Sequence, residues 1–172
     1  MAAASRFRAT LASPLPGVPA EAWERFAQEL ALMPDPRDPA KLVPRPMGAV
    51  SESGGLGAYD MRPRRLVELG LGRNLRSVHP KPGGARFHIC DFVLPLTQDA
   101  YLGNPLTQYL ALTRSMKRYH ADLVSGALPR PEGVSLGGAL AILHRGGRGA
   151  LTAWPDLFPD TRALCERARG AF

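Results

Sequence analysis

Hydrophobic residues recur mostly at helical spacing along this chain. The first such run covers residues 20–33 and follows Pro19, a residue favoured at the first helical position. Its apolar side chains recur at intervals of three and four residues, the spacing of one helix face: Trp23, Phe26, Ala27, Leu30 and Met33. We therefore expect an amphipathic helix here, ended by the prolines that follow it.

Further runs of this kind predict helices over residues 46–53, 59–70, 104–125, 136–144 and 160–171. Residues 85–96 alternate only loosely and are the best strand candidate. Helix-like runs thus outnumber strand-like ones, and the pattern predicts a mainly α protein. Residues 1–18, rich in Ala and Pro, predict an extended N-terminal arm. Residues 19–172 predict a single domain.

Composition adds a charge preference. The 172 residues include 22 Lys and Arg but 15 Asp and Glu, giving a net charge of +7. Such an excess favours an anionic partner, namely nucleic acid, a membrane surface or a bacterial cell wall. The alternative is a coding bias toward arginine, which would supply much of this excess without any partner. The arginines are spread along the chain without interleaved aromatic residues, which disfavours nucleic acid.

Several other classes are disfavoured by what the sequence lacks. No apolar run is long enough for a membrane span, and the N-terminus has no apolar signal-peptide region. We therefore expect cytoplasmic synthesis without a signal peptide and no membrane partner. The two cysteines form no CxxC pair, and the histidines have no metal-ligand spacing. Neither a metal nor a cofactor is expected.

One polar stretch carries candidate chemistry: Ser-Glu-Ser-Gly-Gly-Leu-Gly-Ala-Tyr-Asp, residues 51–60. Glu52 would lie at the C-terminus of the helix predicted over residues 46–53. The negative end of the helix dipole disfavours an ionised carboxylate there, so Glu52 would tend to keep its proton as a general acid must. The alternative is an ordinary helix cap with Gly54 in the left-handed conformation.

Three segments together resemble a known family. The stretch SESGGLGAYDMRPRRLVELGL is similar to the start of lysozyme-like muramidases and lytic transglycosylases, where a helix ends in Glu-Ser-Gly. Then DAYLGNPLTQYLALTRSMKRYHADL resembles a Leu-x-Asn-Pro-x-x-Gln segment followed by a long helix. Finally, SLGGALAILHRGGRGALTAW is similar to a late helix of that branch. The segments keep the family order and span roughly residues 45–155.

The resemblance implies a lysozyme-like helical domain, with a reduced or absent β-lobe, that binds glycan strands of peptidoglycan. It implies that Glu52 is the catalytic acid and that Ser53, Tyr59 and His144 contact the substrate. Asp60 stands where the family has glutamine. It would be either a second carboxylate, as glycosidases use, or a charge at a helix start. His144 has an alternative too, as a core histidine bonded to a backbone carbonyl.

Two functions from different classes follow. The first is cleavage of peptidoglycan glycan strands, of the muramidase or lytic transglycosylase type, with Glu52 as general acid/base. The second is a non-catalytic structural component of a phage or phage-tail-like particle that retains a lysozyme-like fold. Its partners would be neighbouring subunits, and the protein would be particle-associated. In the first case other factors would release it to the cell wall.

Overall fold

The structure is a computed structural model that describes residues 13–79, 86–154, 156–157 and 159–172. Six helices occur in that part of the chain: α1 (Ala20–Leu30), α2 (Pro63–Glu68), α3 (Gln98–Gly103), α4 (Pro105–Val124), α5 (Leu136–Thr152) and α6 (Pro159–Ala168). Its four strands are β1 (Leu32–Asp35), β2 (Asp38–Pro44), β3 (Gly72–Val78) and β4 (Phe87–Phe92). The strands form two antiparallel pairs, β1 with β2 and β3 with β4.

The expectation of a mainly α, lysozyme-like helical domain with a reduced or absent β-lobe is wrong. The chain is mixed, with 46% helix, 18% strand and two small antiparallel sheets. The first sheet occupies the segment whose prolines were expected only to end the first helix. Proline is tolerated there because each strand of a two-stranded ribbon has one edge without a partner strand. The second sheet contains β4, inside the predicted strand of residues 85–96, and a partner, β3, that was not predicted.

Two of the predicted helices are wrong or shorter. Residues 46–53 form turns with no helix. Their sequence is nevertheless typical of one, since Pro46 resembles the first residue of a helix and Glu-Ser-Gly-Gly resembles a C-terminal helix cap. The helix predicted over residues 59–70 is reduced to α2, which begins at a proline that favours the first helical position. The other predicted helices are present, although α1 ends at Leu30, so Met33 of its predicted apolar face lies on β1 instead. Asn104 caps α4 by accepting a hydrogen bond from the Thr107 N–H at 3.1 Å.

The described chain falls into two compact units. One is Leu30–Arg118; the other is Tyr119–Phe172 together with the described residues up to Glu29. Of the predicted N-terminal arm, residues 1–12 lie outside the described residues. Leu15 and Val18, from its remaining part, are buried in the second of these units. The division into one arm and one domain stays a prediction.

The Leu30–Arg118 unit positions the candidate site. Its large buried side chains include residues of α3, of α4, of α2 and of the loop before α2: Leu56, Met61, Leu66, Tyr101, Leu112 and Met116. The ring of Tyr101 contacts that of Phe92 at the end of β4, with centroids 5.4 Å apart. The loop that carries Glu52 is therefore part of a packed unit. No helix among the described residues is both long and apolar enough to cross a membrane.

Candidate functional site

Glu52 lies at the exposed tip of a loop that we call the Glu52 loop, residues 49–62. The tip, residues 51–54, is a β-turn closed by the Gly54 N–H, which donates to the Ser51 carbonyl at 2.8 Å. The Ser51 hydroxyl accepts a second bond, from the Gly55 N–H at 2.8 Å. No helix ends at Glu52, so the dipole argument for a protonated carboxyl no longer applies to it.

The rest of the loop is closed on itself and buried. Leu56 and Met61 exchange backbone hydrogen bonds at 3.0 and 2.9 Å, and the Gly57 N–H donates to the Ala49 carbonyl at 2.8 Å. Residues 54–58 are all buried, whereas Glu52 and Ser53 are exposed. A well-fixed base thus presents two polar side chains to solvent, an arrangement typical of binding and catalytic loops.

Asp60, near the end of the Glu52 loop, is buried. It is 4% exposed and has a left-handed φ of 50°. Its carboxylate lies between two guanidinium groups, 3.6 Å from Arg45 Nη1 and 3.7 Å from Arg62 Nη2. Gly55 packs directly against this carboxylate, since a Cβ there would lie 2.0 Å from Asp60 Oδ1. The geometry favours a buried counter-charge over a carboxylate that reaches a substrate.

Arg62 connects this charge cluster to the tip. Its Nη1 donates to the Ser53 carbonyl at 2.8 Å, while its Nη2 faces Asp60. Ser53 also lies 3.2 Å from Ser51, hydroxyl to hydroxyl. One arginine therefore contacts both the residue next to Glu52 and the buried carboxylate.

Gln108, on α4, forms hydrogen bonds to the backbone of the Glu52 loop and to the segment before it. The side chain is fully buried, and its Oε1 accepts a hydrogen bond from the Ala58 N–H at 2.8 Å. Its Nε2 lies within 3.0 to 3.1 Å of three carbonyls, those of Met47, Tyr101 and Leu102. The amide therefore joins both sides of the Glu52 loop to the end of α3.

Tyr59, in the Glu52 loop, interacts electrostatically with two other tyrosines, Tyr101 and Tyr109. Burial, with Tyr109 as a smaller cause, raises the pKa of Tyr59 to about 12. Burial, with Tyr59 as a smaller cause, also raises the pKa of Tyr101. Both phenols therefore keep their protons at neutral pH, and the Tyr59 residue is partly exposed.

The remaining predicted residue, His144, lies on α5 in the other unit and is 6% exposed. The structure thus brings Glu52, Ser53, Tyr59 and Asp60 into one loop of the Leu30–Arg118 unit, whereas His144 belongs to the other unit. Across the residues that the structure describes, no three His, Cys, Asp or Glu side chains are grouped so that they could hold a metal ion.

Three residues of the site were not singled out from sequence: Arg45, Arg62 and Gln108. Gln108 has a signal, because it is the glutamine of the Leu-x-Asn-Pro-x-x-Gln segment. The two arginines have none, since their role depends on Asp60 being buried.

Comparison of the chain with protein-family models, with curated proteins and with solved structures found no match. The interpretation of this site therefore depends on its geometry and on the sequence resemblance described above.

Proposed function

We propose that this protein cleaves the glycan strands of peptidoglycan, with Glu52 as its single general acid/base. The observation that carries the proposal is an exposed glutamate at the tip of a loop whose base is buried and extensively hydrogen-bonded. The resemblance of three segments to muramidases and lytic transglycosylases, in family order, supplies the substrate class.

In the proposed reaction, bound glycan covers Glu52 and excludes water from its carboxyl. Glu52 then donates its proton to the glycosidic oxygen as the bond between that oxygen and the anomeric carbon breaks. The resulting carboxylate accepts a proton from the hydroxyl that attacks the anomeric carbon. Glu52 is left ionised after the first step and protonated again after the second.

The position of Asp60 favours the transglycosylase variant of this reaction. A second carboxylate must reach the sugar, either directly or through one water molecule, to act as nucleophile or base. Asp60 is 4% exposed and lies between two guanidinium groups. With one available carboxylate, attack by the sugar's own hydroxyl needs no further base, and the product is lighter by one water than a hydrolysis product.

The test is digestion of purified peptidoglycan, with soluble fragments separated and weighed by mass spectrometry. We expect Glu52→Gln to lower the rate by about 100-fold or more, because an amide cannot donate the proton that general acid catalysis requires. Glu24→Gln is the matched control, since Glu24 is an exposed glutamate on α1.

Two results would contradict the proposal. One is a wild-type protein that releases no fragments under conditions in which a phage lysozyme does. The other is an unchanged rate in Glu52→Gln.

A second candidate function is a non-catalytic one, as a structural component of a phage or tail-like particle. The exposure of Glu52 and the engagement of Asp60 by two arginines favour it, because Glu52 is not desolvated as a general acid requires and the buried Asp60 faces arginines instead of solvent. In that case the wild type and Glu52→Gln would bind peptidoglycan or a neighbouring subunit equally well, and neither would cleave.

A further inference from the structure

Both polar atoms of the Gln108 amide are hydrogen-bonded to backbone. A carboxamide has one acceptor oxygen and two N–H hydrogens. Here the oxygen accepts from Ala58, and the nitrogen is close to three carbonyl oxygens. Two hydrogens shared among three carbonyls require at least one three-centre bond. The side chain is fully buried, so water does not compete for these bonds.

The partners of Gln108 come from three separate stretches of backbone. Met47 precedes the tip of the Glu52 loop and Ala58 follows it, so the amide holds both sides of the loop. Tyr101 and Leu102 lie in the last turn of α3, and the Tyr101 carbonyl also accepts a hydrogen bond from the Asn104 N–H at 3.4 Å. The side chain therefore joins the Glu52 loop to the junction of α3 and α4.

The contact between Gln108 and Gly57 is unusually close. A Cβ on Gly57 would lie 2.1 Å from Gln108 Oε1, and Gly57 has a φ of +72°. Only glycine allows the backbone to pass the amide at this distance in this conformation. The loop and the glutamine are thus matched in shape as well as in hydrogen bonding.

We infer that Gln108 is a positioning residue that fixes the Glu52 carboxyl for reaction, an inference that rests on the proposed function. Gln108 does not contact Glu52 and acts through the backbone on either side of the tip. General acid catalysis is sensitive to such placement, because a shift of about 1 Å can lower a rate by roughly 100-fold. Loss of the amide bonds is therefore expected to lower kcat more than it changes KM.

The test uses Gln108→Glu in the full chain. When protonated, the new carboxyl offers one O–H to the three carbonyls; when ionised, it offers none and its charge faces their oxygens. Burial and these oxygens raise the pKa of the new carboxyl in the folded protein above its unfolded value. The folded variant is therefore most stable below the unfolded pKa, and that stability is lost as pH rises through the folded one.

Amide hydrogen exchange supplies a readout that does not depend on activity. Relative to wild type at each pH, we expect exchange in residues 49–61 of Gln108→Glu to be at least tenfold faster at about pH 8 than at about pH 5. Exchange in α5 should stay as in the wild type. The matched control is Gln98→Glu, the same change at an exposed position on α3, and it should show no such pH dependence.

Activity on soluble glycan strands is measured in parallel. A fall in kcat with rising pH in Gln108→Glu, at little changed KM and absent from Gln98→Glu, supports the positioning role. Three results overturn it. The first is unchanged exchange in residues 49–61, and the second is exchange that rises equally throughout the chain. The third is a kcat that falls no more than in Gln98→Glu. A wild type that fails to cleave contradicts the proposed function separately, while the exchange result still decides whether Gln108 fixes the loop.

Gln108→Met is the second variant, used should Gln108→Glu fail to fold at either pH. Methionine has a similar size and carries no charge, but it makes none of the four hydrogen bonds. Faster exchange confined to residues 49–61 supports the inference, and wild-type exchange there overturns it.

Discussion

At the scale of single residues, the Glu52 loop depends on two glycines that face polar side chains. Gly55 lies against the Asp60 carboxylate and Gly57 against the Gln108 amide, and a Cβ at either would come within 2.1 Å of an oxygen. Both oxygens belong to buried groups whose positions are fixed by other contacts, Asp60 by arginines and Gln108 by backbone. The side chains therefore cannot move aside cheaply.

We predict that Gly57→Ala lowers the free energy of unfolding by about 3 kcal/mol, because it combines a left-handed φ with a steric clash. Gly70→Ala is the matched control. Gly70 has the same φ of +72° but nothing within 4 Å of its Cβ position, so only the conformational cost of about 1 kcal/mol applies. Urea denaturation of both variants measures the difference, and equal losses would refute the close approach to Gln108.

At the scale of elements, α5 and α6 pack through glycine. A Cβ on Gly137 would lie 2.4 Å from the Ala168 carbonyl oxygen, and one on Gly138 would lie 2.9 Å from the Cys165 sulfur. Since the first contact is with backbone, a larger residue at position 137 must push the two helices apart. Ser135 caps α5 just before this contact, accepting from the Gly138 N–H at 3.1 Å.

We predict that Gly137→Ala destabilises the protein by about 2 kcal/mol through overpacking against α6. Gly149→Ala, in the short helical segment that follows a kink at Gly147, is expected to stabilise it by about 0.5–1 kcal/mol, because position 149 is open and alanine is the better helix former. Thermal or urea unfolding of the two variants shows whether each change raises or lowers the free energy of unfolding. Destabilisation by both variants to the same extent would mean that the glycine contact between α5 and α6 is not what Gly137 provides.

Elements with strong local signals were predictable from sequence. Helix α4 combines sustained apolar periodicity with an Asn-Pro start, and both the helix and its Asn104 cap are confirmed. Strands β1 and β2 were not predicted because proline is a poor strand former except in ribbons with free edges. The local sequence does not show that such a ribbon forms. The helix predicted over residues 46–53 is wrong because tertiary contacts of the glycines outweigh a short, weakly stabilised helix.

The candidate site was predictable only in part for a similar reason. Glu52, Ser53, Tyr59 and Asp60 are neighbours along the chain, so their grouping in one loop follows from sequence alone. The partners of that loop are distant in sequence. A glutamine or an arginine is expected at the surface, and nothing local indicates that Gln108 is buried or that Arg45 faces Asp60.

At the scale of the whole molecule, positive charge is the dominant electrostatic property. The net charge of +7 is spread over the sequence, and the Asp60 cluster itself contains two arginines for one carboxylate. A field of this sign attracts anionic surfaces over distances comparable to the Debye length. Bacterial walls that carry anionic polymers present such a surface.

Under the proposed function, we predict that binding to such walls weakens on the order of tenfold between low and physiological ionic strength, since salt screens exposed charges. Cosedimentation with insoluble wall material at a series of salt concentrations measures the effect. Wall material stripped of its anionic polymers is the control and should bind with little salt dependence. Identical salt dependence for both preparations would mean that the polymers are not what the positive charge attracts.

The contact between Gly57 and Gln108 also has an evolutionary consequence. The backbone at Gly57 leaves no room for a side chain beside the Gln108 amide. Neither residue can therefore change alone without loss of packing or hydrogen bonds. The two positions are therefore expected to covary in relatives of this chain. A lineage that places a larger residue at position 57 should also carry a shorter side chain at position 108, and such paired changes would identify relatives whose overall sequences have diverged.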